Sequence, residues 1–286
     1  MDSAEVEGAV SAGGATRTPQ RIIPAIFSPW IRRFTAVTGA SAGTAFGAMP
    51  EGPSPTRDGI RAMVVFPHAG GDAATYRTLA SAFASDGTEV FVMQYPRHPG
   101  RLSEPAAQTI AELAEGLFDA GPWENLGHIQ LLGHCMGAMV AFEFAKVAER
   151  HGVAISMLWV SGGAAPSTLA DFAPLPTSDD AILADITELG GTDPRLLEDP
   201  EFLDLLIPAV RADYVALNQY WSTPNDAITA DITAISGCRD ERIGIESLRQ
   251  WAVHTTGRYT LHSLDGGHFF LFDQVDALRR LVHCHV

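Results

Sequence analysis

Three side chains that lie far apart in the sequence could together carry out nucleophilic catalysis. The first, Cys135, is the middle residue of GHCMG (133–137), which follows the apolar run IQLL and precedes the helical pattern AMVAFEFAKVAERHG. A glycine-flanked turn between a strand and a helix is the context of a nucleophile elbow, which exposes its central side chain at the helix N-terminus. The helix dipole and the first backbone N–H groups favour a thiolate there. We therefore predict that Cys135 is the nucleophile.

A thiol nucleophile needs a base, and the base needs a group that orients it. Where the nucleophile lies in such an elbow, the acid and then the histidine follow it along the chain. Asp240 comes after the apolar run ADITAIS, and His268 comes after the last strand-like run. Of the neighbouring acids, Glu241 is expected to point elsewhere and Asp265 precedes a glycine turn. We expect His268 to be the base and Asp240 the orienting acid.

The oxyanion formed by nucleophilic attack needs two hydrogen-bond donors. One is expected to be the backbone N–H of Met136, directly after the nucleophile, and the other should come from the loop after the first core strand. That loop reads FPHAGG (66–71), and its Ala69 N–H is the predicted donor. His68 and His134 flank the site and are interpreted as packing or hydrogen-bonding residues.

The elements that must position these residues alternate between apolar strands and helical segments, which predicts an α/β fold with a mostly parallel sheet flanked by helices. Strands are predicted at 61–66, 89–94, 128–133, 154–160, 230–236 and 258–264. Helices are predicted at 73–85, 106–120, 136–150, 245–254 and 269–283.

Two segments fall outside this alternation. Residues 166–228 contain helical patterns broken by prolines, and they would lie over the carboxyl ends of the strands as a helical lid or an ordinary helical subdomain. Residues 1–59 are interpreted as an N-terminal extension and linker, disordered over 1–24 and linker-like over 36–59, with a possible edge strand at 29–34; the catalytic domain would be 60–286. Aromatic and apolar side chains of the lid could line an acyl channel or form the lid core: Phe172, Leu175, Tyr214, Tyr220 and Trp221.

The formal net charge of −15 argues against a nucleic-acid partner and against an anionic membrane surface. The three cysteines suggest neither a disulfide framework nor a zinc site, and no cofactor or metal is expected. The N-terminus lacks a secretion signal, and no apolar run is long enough to span a membrane. We expect a cytoplasmic protein, most simply a monomer.

The motifs together resemble a known family, the external (type II) thioesterases of polyketide and nonribosomal peptide synthetases. The resemblance covers nearly everything from Ile60 onward and rests on FPHAGG, QYPRHPGR, GHCMGAMVAFEFA, SGGAAPS, GTDPRLLEDPEFLDLLIPAVRADYVALNQY, ISGCRDERIG, HTTG and GGHFFL. It implies an α/β-hydrolase fold and hydrolysis of acyl groups from the phosphopantetheine thiol of an acyl or peptidyl carrier protein. The Ser, Asp and His of the family map onto Cys135, Asp240 and His268.

The sequence departs from the family at two positions that bear on chemistry. Cys135 replaces the usual serine, and Gly163 stands where the family usually carries a basic residue. Attack by cysteine exchanges one thioester for another, so the acyl-enzyme could also pass its acyl group to an amine, a hydroxyl or a carbanion. Acyl transfer or cyclisation is therefore one alternative. A cysteine hydrolase of dienelactone hydrolase type, acting on small esters or lactones, is a second, and an inert carrier-binding protein is a third.

Overall fold

The computed structural model describes residues 21–37 and 61–283, which form an eight-stranded sheet covered by helices. The strands occur in the order β1-β2-β4-β3-β5-β6-β7-β8, antiparallel from β1 to β4 and parallel from there to β8. The strands are β1 (Arg21–Ser28), β2 (Ile31–Val37), β3 (Arg61–Phe66), β4 (Glu89–Met93), β5 (His128–His134), β6 (Ile155–Ser161), β7 (Asp231–Gly237) and β8 (Tyr259–Leu264). The predicted α/β class with a mostly parallel sheet is confirmed.

Helices connect the parallel strands and supply the lid. They are α1 (Arg77–Ala84), α2 (Ile110–Asp119), α3 (Met136–Arg150), α4 (Asp179–Leu189), α5 (Pro200–Asn218), α6 (Ile245–Arg249), α7 (Phe270–Asp273) and α8 (Val275–His283). Short 3-10 segments span Trp123–Asn125, Pro166–Asp171 and Gln250–His254.

The central strands are buried on both faces, which is why they read as continuous apolar runs rather than alternating ones. In β3, Ala62 and Val64 belong to the core cluster that includes α2 and α3, whereas Met63 and Val65 belong to the cluster that includes α1 and α8. This two-sided burial fixes the sheet between two helical layers. It thereby fixes the positions of the loops that leave the carboxyl ends of the parallel strands.

Four predicted helices differ from the observed ones. The helix expected over 245–254 is an α-helix only to Arg249 and continues as a 3-10 segment over Gln250–His254. The helix expected from 73 begins at Arg77, because residues 73–76 form turns. The helix expected from 106 begins at Ile110, where the Thr109 hydroxyl caps it by accepting a hydrogen bond from the Glu112 N–H over 3.1 Å. The helix expected over 269–283 is divided into α7 and α8 at Gln274.

The N-terminal strand prediction is wrong in one respect. The strand expected at the sheet edge over 29–34 is β2, but β1 pairs with its outer side and forms the edge instead. Of the segments expected to be disordered or linker-like, 1–20 and 38–60 lie outside the described residues, while 21–24 belong to β1 and 36–37 to β2. Within 21–37 and 61–283, no helix combines the length and apolar character needed to cross a membrane.

We use the name lid segment for residues 166–228, which contain α4 and α5. These two helices pack on each other through a separate apolar cluster that includes Ile182, Val210 and Tyr214. Asp199 caps α5 by accepting a hydrogen bond from the Glu201 N–H over 2.9 Å. The lid segment therefore has a small core of its own beside the main sheet.

Candidate active site

Cys135 lies in the sharp turn between β5 and α3, with φ 55° and ψ −121°. Such a positive φ is rare outside glycine and marks backbone strain of the kind found at functional sites. The turn is possible because Gly133 and Gly137 flank it: a Cβ on Gly137 would lie 2.0 Å from the Phe66 carbonyl oxygen, and one on Gly133 would lie 2.3 Å from the Gly137 carbonyl oxygen. The spacing of the two glycines therefore follows directly from the shape of this turn.

His268 and Asp240 reach the same edge of the sheet from the loops that follow β8 and β7. The His268 Nδ1 lies 2.9 Å from the Asp240 Oδ2, and the two side chains are 3% and 0% exposed. The other carboxylate oxygen, Oδ1, accepts hydrogen bonds from the backbone N–H groups of Arg242 (2.9 Å) and Ile243 (3.1 Å). Asp240 is thus fixed on one side by its own loop, and its free oxygen orients the imidazole.

The buried charges favour a thiolate–imidazolium pair. Burial would raise the pKa of the Cys135 thiol, but the charge of the neighbouring His268 and the adjacent Met136 N–H lower it below its usual value. Burial would lower the pKa of His268, but the charge of Cys135 and the hydrogen bond to Asp240 raise it. Opposite shifts of this kind favour the charged pair, and a thiolate is the nucleophilic form of cysteine.

Two backbone N–H groups near the sulfur could receive an oxyanion. Met136 begins α3, and its N–H is close enough to hydrogen-bond to the Cys135 sulfur. Ala69 lines the same cavity as Cys135, and its N–H has no hydrogen-bond partner within the described part of the chain. Both predicted donors therefore lie at the cavity. Ala69 follows β3, and Met136 follows the neighbouring strand β5.

Of the two flanking histidines, His134 is buried and His68 is half-buried, and the pKa of each is lowered. Burial, followed by the charge of His268, lowers the pKa of His68 to about 3 and that of His134 well below its ordinary value. The Tyr76 hydroxyl lies 2.8 Å from the His68 Nδ1, and the Ser161 carbonyl oxygen lies 2.9 Å from the His134 Nδ1. The His134 ring also packs against that of His268, with centroids 5.2 Å apart and planes tilted by 41°. These contacts fit packing and hydrogen-bonding roles.

The other acids near the site do not orient the histidine. Asp265 is 68% exposed and forms an ion pair with Arg239, and Glu241 is exposed. Neither has a hydrogen bond to His268. Within the described ranges, no group of three or more His, Cys, Asp or Glu side chains is arranged to hold a metal ion.

A cavity of about 650 Å³ opens beside Cys135 and is roofed by the lid segment. Its walls are mostly apolar and include Met139, Leu169, Leu189, Leu206 and Phe269. Five side chains were predicted to line an acyl channel or to form the lid core. Of these, Trp221 is 75% exposed and does not line the cavity. The other four do line it: Phe172, Leu175, Tyr214 and Tyr220. Tyr214 is at the same time part of the lid core.

An ion pair that the sequence analysis missed joins the lid segment to the loop of Asp240. Arg242 donates to Asp185 of α4 over 2.7 and 3.2 Å, and the Tyr214 hydroxyl of α5 donates to the same carboxylate over 2.6 Å. Arg242 lines the cavity, and its positive charge acts on Cys135. Its place two residues after Asp240 was visible in the sequence, but no pattern pointed to Asp185 as its partner.

Gly163 has no room for the basic side chain that the resemblance leads one to expect. A Cβ there would lie 2.5 Å from the Ala138 Cβ and 3.1 Å from the Cys135 carbonyl oxygen. The Trp251 indole N–H also donates to the Gly163 carbonyl oxygen over 2.8 Å. In this chain Arg242, from the loop after the neighbouring strand β7, places a cation at the cavity wall.

Known proteins resemble this chain in sequence and in fold. A family model described as a thioesterase domain matches residues 61–285. The phenyloxazoline synthase MbtB of Mycobacterium tuberculosis is 50% identical over 260 residues, which is 91% of this chain and 17% of that protein, so the chain spans about a sixth of that relative's length. The thioesterase PikA5 of Streptomyces venezuelae is 40% identical over 214 residues, 74% of this chain and 76% of that protein.

Among solved structures, the chain is similar to the type II thioesterase BorB from the borrelidin biosynthetic cluster. The TM-score is 0.71 at 30% sequence identity, and the superposition covers 90% of this chain and 98% of that one. The fold described above is therefore similar to that of a type II thioesterase whose structure is known.

Proposed function

The chain belongs to the thioesterase family, and from this premise we propose that it hydrolyses acyl thioesters with Cys135 as nucleophile, His268 as base and Asp240 as the group that orients the base. One observation carries the proposal. Cys135 occupies the strained turn at the start of α3, and its thiol is paired electrostatically with an imidazole whose Nδ1 lies 2.9 Å from the Asp240 Oδ2. Cys135 lines the cavity, His268 interacts with Cys135, and Asp240 interacts with His268.

The reaction follows from this geometry in two halves. The Cys135 thiolate attacks the thioester carbonyl carbon, and the N–H groups of Ala69 and Met136 receive the oxyanion. When the tetrahedral intermediate collapses, the carbon–sulfur bond to the substrate breaks, and the imidazolium of His268 gives its proton to the leaving thiolate. Water then attacks the new acyl-enzyme thioester while His268 takes its proton, which releases the carboxylic acid and restores Cys135.

We propose that the substrate acyl group is carried on the phosphopantetheine arm of an acyl or peptidyl carrier protein. The similarity to PikA5 and to the type II thioesterase BorB from a biosynthetic cluster supports this class of partner. The largely apolar cavity of about 650 Å³ beside Cys135 has the chemistry and the size to hold an acyl chain.

The test compares octanoyl-pantetheine with 4-nitrophenyl octanoate, which presents the same acyl group as an oxygen ester. Wild-type protein is expected to prefer the thioester, and Cys135→Ala and His268→Ala should each lose most of the turnover. Octanoyl-loaded carrier protein should give a higher kcat/KM than octanoyl-pantetheine. A preference for oxygen esters or lactones would favour a hydrolase of dienelactone hydrolase type, and absence of turnover would favour an inert carrier-binding protein.

The cysteine itself favours a second candidate function, acyl transfer or cyclisation. An acyl group on Cys135 stays a thioester, which amines attack far more readily than an oxygen ester, so an amine, or a hydroxyl held beside the carbonyl carbon, could replace water in the second half-reaction. The bond formed is then an amide or an ester, and His268 accepts the proton of the attacking group. Product analysis distinguishes the two functions when the substrate is a carrier-bound chain that bears an internal amine or hydroxyl. Free acid as the sole product supports hydrolysis, and a cyclic product supports transfer.

A further inference from the structure

The loop between β3 and α1 that carries Ala69 is held by hydrogen bonds on both sides of that residue. We call residues 67–71 the oxyanion loop. The Tyr95 hydroxyl donates to the Pro67 carbonyl oxygen over 2.9 Å, and the His68 N–H donates to the Tyr76 hydroxyl over 3.1 Å. The Gly71 N–H donates to the His68 carbonyl oxygen over 2.9 Å. The N–H of Ala69 is left without a partner among the described residues and is thus available to a ligand.

A further backbone hydrogen bond of the oxyanion loop joins it to the lid segment. The Gly70 N–H donates to the Oδ2 of Asp213 in α5 over 2.8 Å. Asp213 is 4% exposed, and the same oxygen lies 2.9 Å from the Nε2 of His98, which is 0% exposed. One buried carboxylate oxygen therefore bridges the oxyanion loop and an imidazole from the loop after β4.

Helix α5 packs so closely against the oxyanion loop that position 70 has no room for a side chain. Gly70 has φ +79°, and a Cβ on it would lie 2.6 Å from the Val210 Cγ2 and 3.2 Å from the Leu206 Cδ1, both on α5. A positive φ and this contact together require glycine at position 70. The loop thus meets α5 through a hydrogen bond and through direct packing, one turn of helix apart.

The bridging carboxylate shifts the pKa of His98. Burial would lower the pKa of His98, but the charge of Asp213 and the hydrogen bond to it raise that pKa above its ordinary value. A buried carboxylate that faces an imidazolium accepts charge-assisted hydrogen bonds, which are shorter and stronger than neutral ones. The bond to the Gly70 N–H is one of these.

We propose that Asp213 is a positioning residue: from the lid helix α5 it holds the Gly70 N–H, and so aims the N–H of the preceding residue, Ala69, at the oxyanion. Helix α5 is then part of the catalytic framework as well as part of the roof. This inference rests on the proposed function, because the oxyanion arises only when a thioester or another carbonyl group is attacked by Cys135.

The test uses three single variants and one double variant. Asp213→Leu removes the acceptor for Gly70, whereas Asp213→Asn can keep an oxygen in the place of Oδ2. Asp204→Leu makes the same change as Asp213→Leu on the exposed face of the same helix and is the matched control. The double variant His98→Phe/Asp213→Leu removes the whole buried ion pair, so it avoids the unpaired imidazole that could unfold Asp213→Leu.

Two readouts separate oxyanion stabilisation from general damage. The first is kcat and KM for octanoyl-pantetheine; loss of one oxyanion donor costs about 10²–10³ in kcat, so a misplaced donor should cost about tenfold to a hundredfold with KM little changed. The second is the rate at which iodoacetamide alkylates Cys135. That displacement forms no oxyanion, and it should stay within about twofold of wild type if the thiolate–imidazolium pair is intact.

The expected pattern is a selective loss of kcat in Asp213→Leu and in the double variant, near-complete recovery in Asp213→Asn, and no change in Asp204→Leu. Equal losses of kcat and of alkylation rate would overturn the proposal, since they would indicate a structural defect. Wild-type kcat in both variants that lack the acceptor, or an Asp213→Asn variant as slow as Asp213→Leu, would also overturn it.

A third measurement does not depend on turnover. Octanal forms a thiohemiacetal with a cysteine thiolate, and its oxygen occupies the oxyanion position. Octanal should protect Cys135 of the wild type from iodoacetamide at lower concentration than it protects Asp213→Leu. If wild-type protein fails to hydrolyse thioesters yet shows this difference, the proposed function is wrong and the role of Asp213 stands; equal protection in both proteins removes that role.

Discussion

The Nδ1 of His268 lies 2.9 Å from the Oδ2 of Asp240, with both side chains withdrawn from solvent and the second carboxylate oxygen bound by two backbone N–H groups. The carboxylate has no freedom to turn away from the imidazole. This contact therefore fixes both the tautomer and the plane of the ring, and the proposed mechanism depends on it.

We predict that Asp240→Asn lowers kcat for thioester hydrolysis by on the order of 10²-fold or more, since the amide can hold the wrong tautomer of His268. The loss should be smaller than in a serine enzyme, because a thiolate needs less help from the base. Asp265→Asn is the matched control: it changes an exposed acid three residues before His268 that pairs with Arg239, and it should leave kcat within about twofold. A large loss in Asp265→Asn would mean that the orienting acid was misassigned.

Iodoacetamide is predicted to inactivate the protein stoichiometrically at neutral pH by alkylating Cys135. The lowered pKa of Cys135 makes the thiolate available, and His268→Ala should slow the alkylation because it removes the charge that lowers this pKa. Cys238 is exposed and free, so Cys238→Ser serves as the control that removes a competing thiol. Mass spectrometry of partly modified protein locates the label. Reaction at Cys238 or Cys284 with activity retained would rule out Cys135 as nucleophile.

The fold and the three proposed catalytic residues could be predicted from sequence because their signals are local. The glycines around Cys135 and the apolar runs before Asp240 and His268 each report on a few neighbouring residues, and the order of these runs along the chain implies which edge of a parallel sheet they share. The edge position of β2 could not be predicted in this way. It depends on whether β1, which the sequence analysis left within the N-terminal extension, pairs beyond it, and that pairing is a tertiary property.

The interactions between the lid segment and the sheet were not predicted for the same reason. Asp185 and Asp213 look like ordinary polar positions of amphipathic helices, and their partners Arg242 and His98 lie 57 and 115 residues away. No periodicity reports on a contact across that distance. The resemblance to a family likewise suggested a basic residue near position 163, whereas the cation at the cavity comes from Arg242.

The pH dependence of wild type and Cys135→Ser should differ in shape. In the wild type the thiolate is present above the lowered pKa of Cys135 and the imidazolium is present below the raised pKa of His268, so activity should form a plateau between the two. In Cys135→Ser the thiolate that raised the pKa of His268 is gone, and a neutral His268 must remove the hydroxyl proton. Residual activity should therefore rise with pH through the lower pKa of His268 in that variant. Profiles of kcat/KM that coincide in shape would contradict the ion pair.

Arg242→Gln is predicted to raise the pKa of Cys135. The charge of His268 lowers this pKa most, and the charge of Arg242 lowers it further. Removing the charge of Arg242 should therefore move the pH at which alkylation is half-maximal upward by a fraction of a unit. Arg195→Gln removes a guanidinium that is 88% exposed and pairs with Asp193 in the same lid segment, and it should leave the midpoint in place. Because Arg242 also ties Asp185 to the loop of Asp240, Asp185→Asn separates the two roles: it loosens the tie but keeps the cation. If the midpoint rises in Asp185→Asn as much as in Arg242→Gln, the position of the lid segment rather than the charge of Arg242 controls the thiol.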